Sequence, residues 1–472
     1  MPDLPRPSEP ATLTLPPRRA IVAAEADVLV VGAGPAGLGA ALGASAAGAR
    51  VLLAERYGFF GGNATAALVM PLMSFHTQIA APEVFEGVSL YPMDHGPGEP
   101  VLAGVVLQLL ERLVALGGAI PPSSWTGYVV PFDPEIFKFV AQQMLDAAGV
   151  QYLLHAFATD VVKGSAVEGA VFETKSGPVA VRSKVLVDCT GDGDLAARAG
   201  APCEVGRDGD GLVQPVTLMF RMVGFDRERF AMYVLEHPDQ WRGCHGLWNL
   251  IEEARRSGEL QMPREDILFF ATPRESEVSV NSTRVLRVLG TDVWDLTRAE
   301  RESHHQAHQI GEFLRRRVPG FERAYVAQTG VQVGVRETRR VRGEYHLTAD
   351  DVLQARKYDD VIARGTYPID IHNPEGEGTV LKRVPPGEAY DIPLRCLVPV
   401  GVEGLLVAGR CISGTHEAHS SYRAMPIAMA TGQAAGVCAA LAALRGIPPR
   451  SVPVREVQTA LVRQGADLRG IV

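Results

Sequence analysis

The sequence predicts an α/β fold with two domains, and three observations support this prediction. A continuous apolar run from Ala26 to Val31 has the composition of a buried parallel strand. A glycine-rich turn follows it directly, and the apolar, small-residue segment from Ala36 to Ala47 then indicates a helix that stops at Gly48. The length of 472 residues exceeds the usual size of one hydrophobic core, so a second domain is expected.

Later segments extend this α/β pattern. A strand from Arg50 to Ala54 completes a strand-helix-strand unit. Apolar and polar residues alternate between Gln151 and Asp188, with glycine turns, which predicts a β-meander that leads into the strand Val185 to Cys189. The other predicted elements are a helix from Asp133 to Ala148 with Asp133 as N-cap, a helix from Thr297 to Val318, a buried strand from Leu405 to Ala408 and an Ala-rich helix from Met425 to about Leu444.

The order of these elements predicts a discontinuous first domain. Its strands and helices come from the beginning and the end of the chain, and an α+β substrate domain is inserted between them. Residues 1–25 are rich in proline and have no period that could bury a face, so they are expected to form a flexible arm. The predicted division is 26–80, 130–210 and 386–450 for the first domain, 81–129 and 211–385 for the substrate or cap domain, and 451–472 for a C-terminal tail.

Composition excludes several classes of partner. The net charge is −8 and no long basic run is present, so nucleic acid is not expected to bind. The most apolar segments are interrupted by Gly, Pro, Thr or Gln and lack flanking anchors, so no membrane span is expected. The N-terminus lacks an apolar leader, which predicts a cytoplasmic location. The six cysteines form no CxxC pair, and the helical pair His304 and His308 is interpreted as a solvated face, so no metal is expected.

A dinucleotide-binding motif lies at the first turn. The glycines Gly32, Gly34 and Gly37 have the GxGxxG spacing between a predicted strand and a predicted helix, the context in which the motif is meaningful. They allow a tight turn, close approach of the backbone to a pyrophosphate, and close helix packing, and the helix N-terminus offers free N–H groups to phosphates. Glu55, which closes the second strand, suits ribose hydroxyls and disfavours a 2′-phosphate. The motif predicts a Rossmann-like domain for NAD or FAD.

Three further segments resemble the FAD-dependent oxidoreductase family of the glutathione-reductase and fumarate-reductase type. They are the acid and double-glycine segment from Glu55 to Thr65, the turn from Val187 to Leu195, and the C-terminal segments Leu406 to Cys411 and Tyr422 to Gly436. With the first motif they stand in the family's order over most of the chain. The resemblance implies a Rossmann-like FAD-binding domain, FAD as the cofactor and an oxidoreductase activity.

The resemblance assigns cofactor-binding residues by motif position. The first turn contributes backbone, the double glycine wraps the pyrophosphate and ribityl chain, the middle turn returns to the ADP moiety, and the last segment surrounds the flavin. The expected cofactor-binding residues are Gly32, Gly34, Pro35, Ala36, Gly37, Glu55, Arg56, Gly61, Gly62, Asn63, Ala64, Thr65, Thr190, Gly191, Asp192, Gly409, Arg410, Met425, Gly432 and Gln433.

The same comparison narrows the class of flavoprotein. Aromatic hydroxylases carry Gly-Asp after the late strand, where this chain has Gly409 and Arg410, so a hydroxylase is disfavoured. No second GxGxxG motif stands between a strand and a helix, and no redox CxxC is present, which disfavours the disulfide reductases. Substrate and electron acceptor are therefore expected to share one site. A helix that begins near Met425 would point its positive end at the flavin edge and stabilise the reduced flavin.

Candidate catalytic residues lie close to the flavin motifs. His416 and His419 precede the flavin helix and suit proton transfer near neutral pH, while Arg423 at its start suits the flavin's pyrimidine edge or substrate charge. For each histidine taken alone, a hydrogen bond to the loop backbone is an equally good interpretation. His76, after the double glycine, is an alternative as a covalent flavin attachment point.

Three arginines in a further family-like stretch have two interpretations. Arg336, Arg339 and Arg340 could bind a carboxylate or enolate, because a guanidinium makes bidentate hydrogen bonds. The favoured interpretation is an interdomain salt-bridge cluster with the acidic residues Glu337, Glu344 and Asp350.

The leading functional hypothesis is hydride transfer between FAD and a small polar organic substrate. One alternative is a flavin-dependent reductase of an activated C=C bond, and another is a flavin-binding subunit that acts only with a partner protein. Oxygen, a quinone and a carrier protein all fit as electron acceptor. A homodimer is expected only because related flavoproteins often dimerise.

Overall fold

The computed structural model describes residues 12–78, 88–93, 96–376 and 378–470. Its main sheet lies beneath the candidate functional site. Strands in the described chain are β1 (Ile21–Val31), β2 (Val51–Ala54), β3 (His76–Gln78), β4 (Pro97–Pro100), β5 (Gln151–Leu153), β6 (Phe157–Lys163), β7 (Val167–Thr174), β8 (Gly177–Asp188), β9 (Cys203–Val205), β10 (Phe220–Val223), β11 (Trp241–Arg242), β12 (His245–Gly246), β13 (Ile267–Ala271), β14 (Glu277–Val280), β15 (Tyr325–Thr329), β16 (Arg339–Val341), β17 (Val361–Gly365), β18 (Ile369–His372), β19 (Thr379–Lys382), β20 (Tyr390–Pro393) and β21 (Leu405–Val407).

Helices in the same residues are α1 (Pro35–Ala46), α2 (Val105–Ala115), α3 (Pro134–Ala147), α4 (Asp194–Arg198), α5 (Arg227–Glu236), α6 (Trp248–Arg256), α7 (Val293–Arg317), α8 (Ala349–Leu353), α9 (His416–Tyr422), α10 (Met425–Arg445) and α11 (Val454–Arg463). Asp133 caps α3 as predicted, and its carboxylate accepts hydrogen bonds from the backbone N–H groups of Glu135 and Ile136.

The seven-stranded sheet has the strand order β5-β2-β1-β8-β7-β6, with β21 also paired to β8. Strands β5, β2, β1, β8 and β21 are parallel, whereas β6, β7 and β8 form an antiparallel meander. The register pairs Val31 with Ala54 on one side and with Asp188 on the other, so the carboxyl ends of three parallel strands meet at one edge. The predicted α/β fold class, with a Rossmann-like domain and a meander, is confirmed.

The first strand begins earlier than predicted. It starts at Ile21 rather than Ala26, so residues 21–25 belong to the sheet and not to a flexible arm, and residues 1–11 of that arm lie outside the described residues. These five residues are mostly exposed and bury no face, although four of them are apolar. They are ordered by backbone pairing to the long strand β8, where Ile21 is opposite Val179.

The second sheet is antiparallel and belongs to the substrate domain. Its strand order is β11-β12-β13-β14-β10-β15, and it packs with α5, α6 and α7 around a separate hydrophobic core. Aromatic rings dominate this core. The ring centres of Phe225 and Phe321 are 4.7 Å apart, and those of Trp241 and Phe269 are 4.6 Å apart. This gives the substrate domain its own rigid support beside the parallel sheet.

Packing assigns three segments differently from the predicted division. Helix α2 lies in the stretch 81–129 that was given to the substrate domain, yet its buried residues belong to the core of the parallel sheet. The same core takes in the buried residues between Val341 and Val384, and those of α11 in the predicted tail. Residues 81–87 lie outside the described chain. The domain boundaries as such stay a prediction.

Helices α1 and α10 pack backbone against backbone. A Cβ added at Gly432 would lie 1.9 Å from the carbonyl oxygen of Ala36, and one at Gly436 would lie 2.0 Å from that of Ala40. On the facing helix, a Cβ at Gly39 would lie 2.1 Å from the carbonyl oxygen of Met429. Glycines four residues apart on each helix therefore allow an approach that side chains would block. Helix α10 is apolar and long enough to cross a membrane, but 83% of its most apolar window is buried in the protein.

Gly436→Ala tests this close packing. Because the new methyl would meet backbone and not a movable side chain, we expect a loss of about 2 kcal/mol or more in the free energy of unfolding, despite the better helix propensity of alanine. Gly311→Ala in α7 is the matched control, since its methyl would meet only the side chain of Val326. Chemical denaturation of both variants measures the difference, and equal stabilities would contradict the packing argument.

Candidate functional site

An open cleft lies at the carboxyl edge of the parallel sheet, where α1 and α10 begin. It is open to solvent on one side. Its walls come from the ends of β1, β2 and β8, from the N-termini of α1 and α10, and from the substrate domain. Of the residues predicted to bind a cofactor, those that line it are Gly32, Gly34, Pro35, Ala36, Glu55, Arg56, Gly62, Asn63, Thr190, Gly191, Asp192, Arg410 and Met425.

The first turn has the geometry that a pyrophosphate requires. Gly32 has a φ of +93°, and a Cβ there would lie 2.4 Å from the carbonyl oxygen of Cys189. Gly34 is the N-cap of α1 in an ordinary extended conformation, and a Cβ there would meet only the Cα of Gly62, at 3.7 Å. The space above Gly34 is therefore open at the positive end of a helix. Gly37 does not line the described cleft. It serves packing, because a Cβ added at Gly37 would lie only 1.7 Å from the carbonyl oxygen of Gly32.

Glu55 is buried at the end of β2. One carboxylate oxygen accepts a hydrogen bond of 2.6 Å from the backbone N–H of Ala33, and the other accepts one of 3.0 Å from Tyr57. Burial raises the pKa of Glu55, against the effect of these two hydrogen bonds. Its carboxylate thus both fixes the glycine-rich turn and faces the cleft, where an acceptor for ribose hydroxyls is expected.

The double-glycine segment folds over the first turn. Gly61 has a φ of +114° and its N–H donates to the carbonyl of Ala33 at 2.8 Å. Asn63 lines the cleft and donates from Nδ2 to the carbonyl of Val335 at 3.4 Å, which connects the two domains. Gly61, Ala64 and Thr65 were predicted cofactor contacts, but the described cleft does not reach them. Thr65 instead closes the loop by donating to the carbonyl of Phe60 at 2.7 Å.

The middle turn and the late segment are joined by an ion pair. Arg410 Nη2 lies 2.7 Å from Asp192 Oδ1, and Thr338 donates to the same oxygen at 2.6 Å. Gly191, with a φ of +84°, leaves room for the guanidinium, because a Cβ there would lie 2.8 Å from Arg410 Nη2. Thr190 holds the turn by donating from Oγ1 to Asp188 at 2.7 Å. These contacts bring the predicted middle turn, Val187 to Leu195, and the predicted late segment, Leu406 to Cys411, together at the cleft.

Three predicted cofactor residues make structural contacts outside the described cleft lining, and their contact with the cofactor stays a prediction. Gly409 is buried and donates its N–H to Thr431 Oγ1 at 3.1 Å. Gly432 is an α1–α10 packing glycine, and Gln433 accepts from the N–H of Val105 at 3.2 Å at the start of α2. Gly432 and Gln433 lie two turns into α10, beyond the helix end that reaches the cleft. At these two positions the residues of the family motif serve helix packing. Of the residues of α10, only Met425 and Ala428 line the described cleft.

The substrate domain supplies a wall that the sequence did not reveal. Gln332, Val333 and Val335 line it together with Gly290, Leu296 and Glu300. Tyr57 Oη and Arg56 Nη2 both donate to the side-chain oxygen of Gln332, the latter at 2.7 Å. No local pattern marks these residues. Ala156 to Ala158 also line the cleft, and they could have been found, because they follow a strand parallel to β2.

The predicted catalytic residues divide into two groups. Arg423 lines the cleft, whereas His416 and His419 are buried outside its described lining. His416 Nδ1 lies 2.9 Å from Glu337 Oε1, and Glu337 also forms a buried ion pair with Arg340. Burial lowers the pKa of His419 well below its ordinary value, and nearby arginines add to the effect. Catalysis by either histidine stays a prediction.

The alternative attachment point His76 lies apart from these residues. It begins strand β3, and its ring packs at 5.4 Å against the edge of Tyr128. It does not line the described cleft. A covalent flavin link through His76 has no support in this geometry and stays a prediction.

The three arginines of the family-like stretch also separate. Arg340 pairs with Glu337, and Arg339 lies 2.9 Å from Asp194, so these two follow the salt-bridge interpretation, though with Asp194 rather than Glu344 or Asp350. Arg336 differs, because it forms no ion pair with the described carboxylates. Its Nη1 donates to the carbonyl of Pro215 and to Thr217 Oγ1, both at 2.7 Å.

The cleft fits FAD on structural grounds. Open space lies over the N-terminus of α1 for a pyrophosphate, Glu55 lines the cleft where a ribose is expected, and the N-terminus of α10 also lines the cleft and suits a flavin. Arg423 and Met425 mark that second helix end. Fold and cleft together define an α/β protein built around a bound dinucleotide.

Comparison with known proteins identifies the family. The model of the family described as FAD dependent oxidoreductase matches residues 27–461, so the chain belongs to this family. It is an FAD-dependent oxidoreductase, and the prediction of FAD is confirmed.

Individual relatives are more distant. Digeranylgeranylglycerophospholipid reductase 2 of Methanopyrus kandleri is 29% identical over 220 residues, which are 44% of this chain and 48% of that protein. The match thus spans about half the length of this curated relative. A geranylgeranyl bacteriochlorophyll reductase-like protein of Thermoplasma acidophilum has 13% identity and a TM-score of 0.44, with 94% of this chain and 84% of that chain covered. The flavin-dependent brominase Bmp2 has 15% identity and a TM-score of 0.46, with 93% and 83% covered.

Gly34→Ala tests the placement of the pyrophosphate. The added methyl makes only an ordinary contact in the protein, so we expect a folded apoprotein with unchanged thermal unfolding, but FAD affinity at least about tenfold lower because the backbone can no longer approach the phosphates. Quenching of flavin fluorescence on binding measures the affinity. Gly37→Ala is the contrasting variant and should fail to fold, since its methyl would overlap the carbonyl oxygen of Gly32. Wild-type FAD affinity in Gly34→Ala would contradict the assignment.

Proposed function

We propose that this protein transfers a hydride between FAD and a small polar organic substrate. The observation that carries the proposal is the junction of Arg423 and Met425 at the cleft, where a guanidinium and the positive end of α10 meet. Both favour negative charge that develops on a reduced flavin or on a substrate. Bound FAD supplies the centre that accepts or donates the hydride.

The local fold explains how Arg423 is held. It is the C-cap residue of α9, and its backbone N–H donates to the carbonyl of His419 at 3.1 Å. Its Nη2 lies 3.3 Å from the backbone oxygen and 3.6 Å from the carboxylate of Asp370. The side chain is therefore oriented before a substrate arrives, which favours positioning over induced movement.

The substrate-domain wall suits the exclusion of water. Leu296, Val333 and Val335 are apolar residues that line the cleft. An apolar wall beside fixed charges strengthens their electrostatic effect on a bound substrate and keeps solvent from the reacting atoms. In this proposal the substrate lies between that wall and the junction at Arg423.

Reduction of an activated C=C bond is a second candidate, favoured by the relative whose name describes a reductase. The same junction would stabilise negative charge on such a substrate. A flavin-binding subunit that needs a partner protein is a third candidate. We further propose a cytoplasmic protein without nucleic-acid or membrane partners, and a homodimer, on the sequence arguments given above.

Anaerobic flavin spectroscopy tests the proposal. Lactate, malate, alanine and sarcosine serve as hydride-donor probes, and fumarate and crotonate serve as acceptors after reduction with dithionite. We expect at least one probe to change the redox state of the flavin in the purified protein alone. Arg423→Met should slow that reaction at least about tenfold with FAD retained, because one charge-assisted hydrogen bond is lost.

Arg342→Met is the matched control, because this arginine is exposed and pairs with Glu204 away from the cleft. It should react at the wild-type rate. A flavin that changes redox state only after a second protein is added would overturn the proposal in favour of the subunit alternative.

A further inference from the structure

Four arginines cluster beside the cleft, and they are here named the arginine cluster: Arg264, Arg284, Arg336 and Arg423. Burial, together with the charges of Arg423, Arg284 and Arg264, lowers the pKa of Arg336 to about 9, while Asp370 opposes them. A guanidinium keeps its proton in proteins, so the lowered pKa expresses the cost of burying this cation near other cations. Such a cost is normally offset by a partner of opposite charge.

Contacts show which members of the cluster have such a partner. Arg264 is buried and makes an ion pair with Asp266 at 2.8 Å, and Arg423 lies 3.6 Å from the carboxylate of Asp370. Arg284 donates to the carbonyl of Gly376 and has further interactions. Arg336 stands apart, because its two hydrogen bonds go to a carbonyl and a hydroxyl, and among the described residues no carboxylate pairs with it.

Two unpartnered donors belong to Gln214 and Arg423, which contact each other. Arg423 Nη2 approaches the side-chain oxygen of Gln214 at 3.4 Å, and Pro215, the next residue, accepts from Arg336. Gln214 is fully buried, yet its Nε2 has no hydrogen-bond partner, and neither has the buried Nε of Arg423. Both orphaned atoms are donors, so the group that would satisfy them must be an acceptor.

The uncompensated positive charge favours a negatively charged ligand, and the unpartnered donors favour a hydrogen-bond acceptor, so both observations indicate an anion. We infer that Arg336 and Arg423, together with the amide of Gln214, bind a carboxylate of the substrate. A planar carboxylate matches the flat guanidinium fork and offers lone pairs to several donors at once. Arg423 also lines the cofactor cleft, so the bound group would hold the rest of the substrate beside the flavin. The inference rests on the proposed function for its biological meaning, but the binding site itself does not require turnover.

Anion binding to the oxidised holoprotein tests the inference without catalysis. Sodium acetate and sodium malonate are the probes, inorganic phosphate is the competing chemistry, and sodium chloride at equal ionic strength is the control. We expect acetate or malonate to change the flavin absorption spectrum saturably and to raise the unfolding temperature. Arg336→Met and Arg423→Met should each weaken the apparent affinity at least about tenfold. Arg342→Met, with its exposed side chain, should leave it unchanged.

A stability measurement separates binding from a structural role. If Arg336 is held at a cost for an anion, Arg336→Met without added anion should unfold at or above the wild-type temperature, and the carboxylate-induced rise should disappear. Arg336→Lys should keep the charge but lose the fork, and so bind more weakly than wild type.

Several outcomes would overturn the inference. They are a clear loss of unfolding temperature in anion-free Arg336→Met, release of FAD from that variant, tighter binding of phosphate than of carboxylate, or no binding beyond the chloride control. A probe that reduces the flavin while no carboxylate binds would overturn the inference and leave the proposed function standing. If a carboxylate binds but no probe changes the redox state of the flavin, the inference stands and the proposed function is overturned.

Discussion

The close approach of helices α1 and α10 is the constraint on which the rest of the site depends. Because Gly39 and Gly43 of α1 face the backbone of Met429 and Gln433, and Gly432 and Gly436 of α10 face the backbone of Ala36 and Ala40, the two helices touch through their backbones. The N-terminus of α1 lies at the carboxyl edge of the sheet, and the contact fixes the N-terminus of α10 relative to it. Two positive helix ends therefore face one cleft.

Buried charge is distributed so that most cations near the cleft are compensated. Arg410 pairs with Asp192, and Arg340 and His416 both contact the buried Glu337. The contact between Glu337 and His416 links the first residue of α9 to the substrate domain, and it stabilises the arrangement that presents Arg423 at the end of this helix. Against this background the uncompensated charge of Arg336 is the exception, and exceptions to local compensation are typical of functional sites.

Most of the cofactor half of the site could be predicted, because it depends on local backbone rules. Gly32 and Gly34 need their conformations for the turn itself, and Glu55 follows its strand at a fixed spacing. Gln433 shows the limit, since a motif position does not say whether the residue serves the ligand or the packing behind it. Gln332 and Arg336 lie far along the chain, and their approach depends on how the two cores dock, which no local pattern encodes. Strand residues 21–25 were missed because pairing, not burial, orders them.

A crystal structure of the FAD-loaded protein shows most directly whether the contact between α1 and α10 positions the cofactor. We expect pyrophosphate density over Gly34 at the N-terminus of α1, and the pyrimidine edge of the isoalloxazine at the N-terminus of α10 beside Met425. Both must be seen in one molecule of FAD, because the glycine contact is what fixes the distance between the helix ends. Density that places the isoalloxazine away from α10, or the pyrophosphate away from Gly34, would contradict the account.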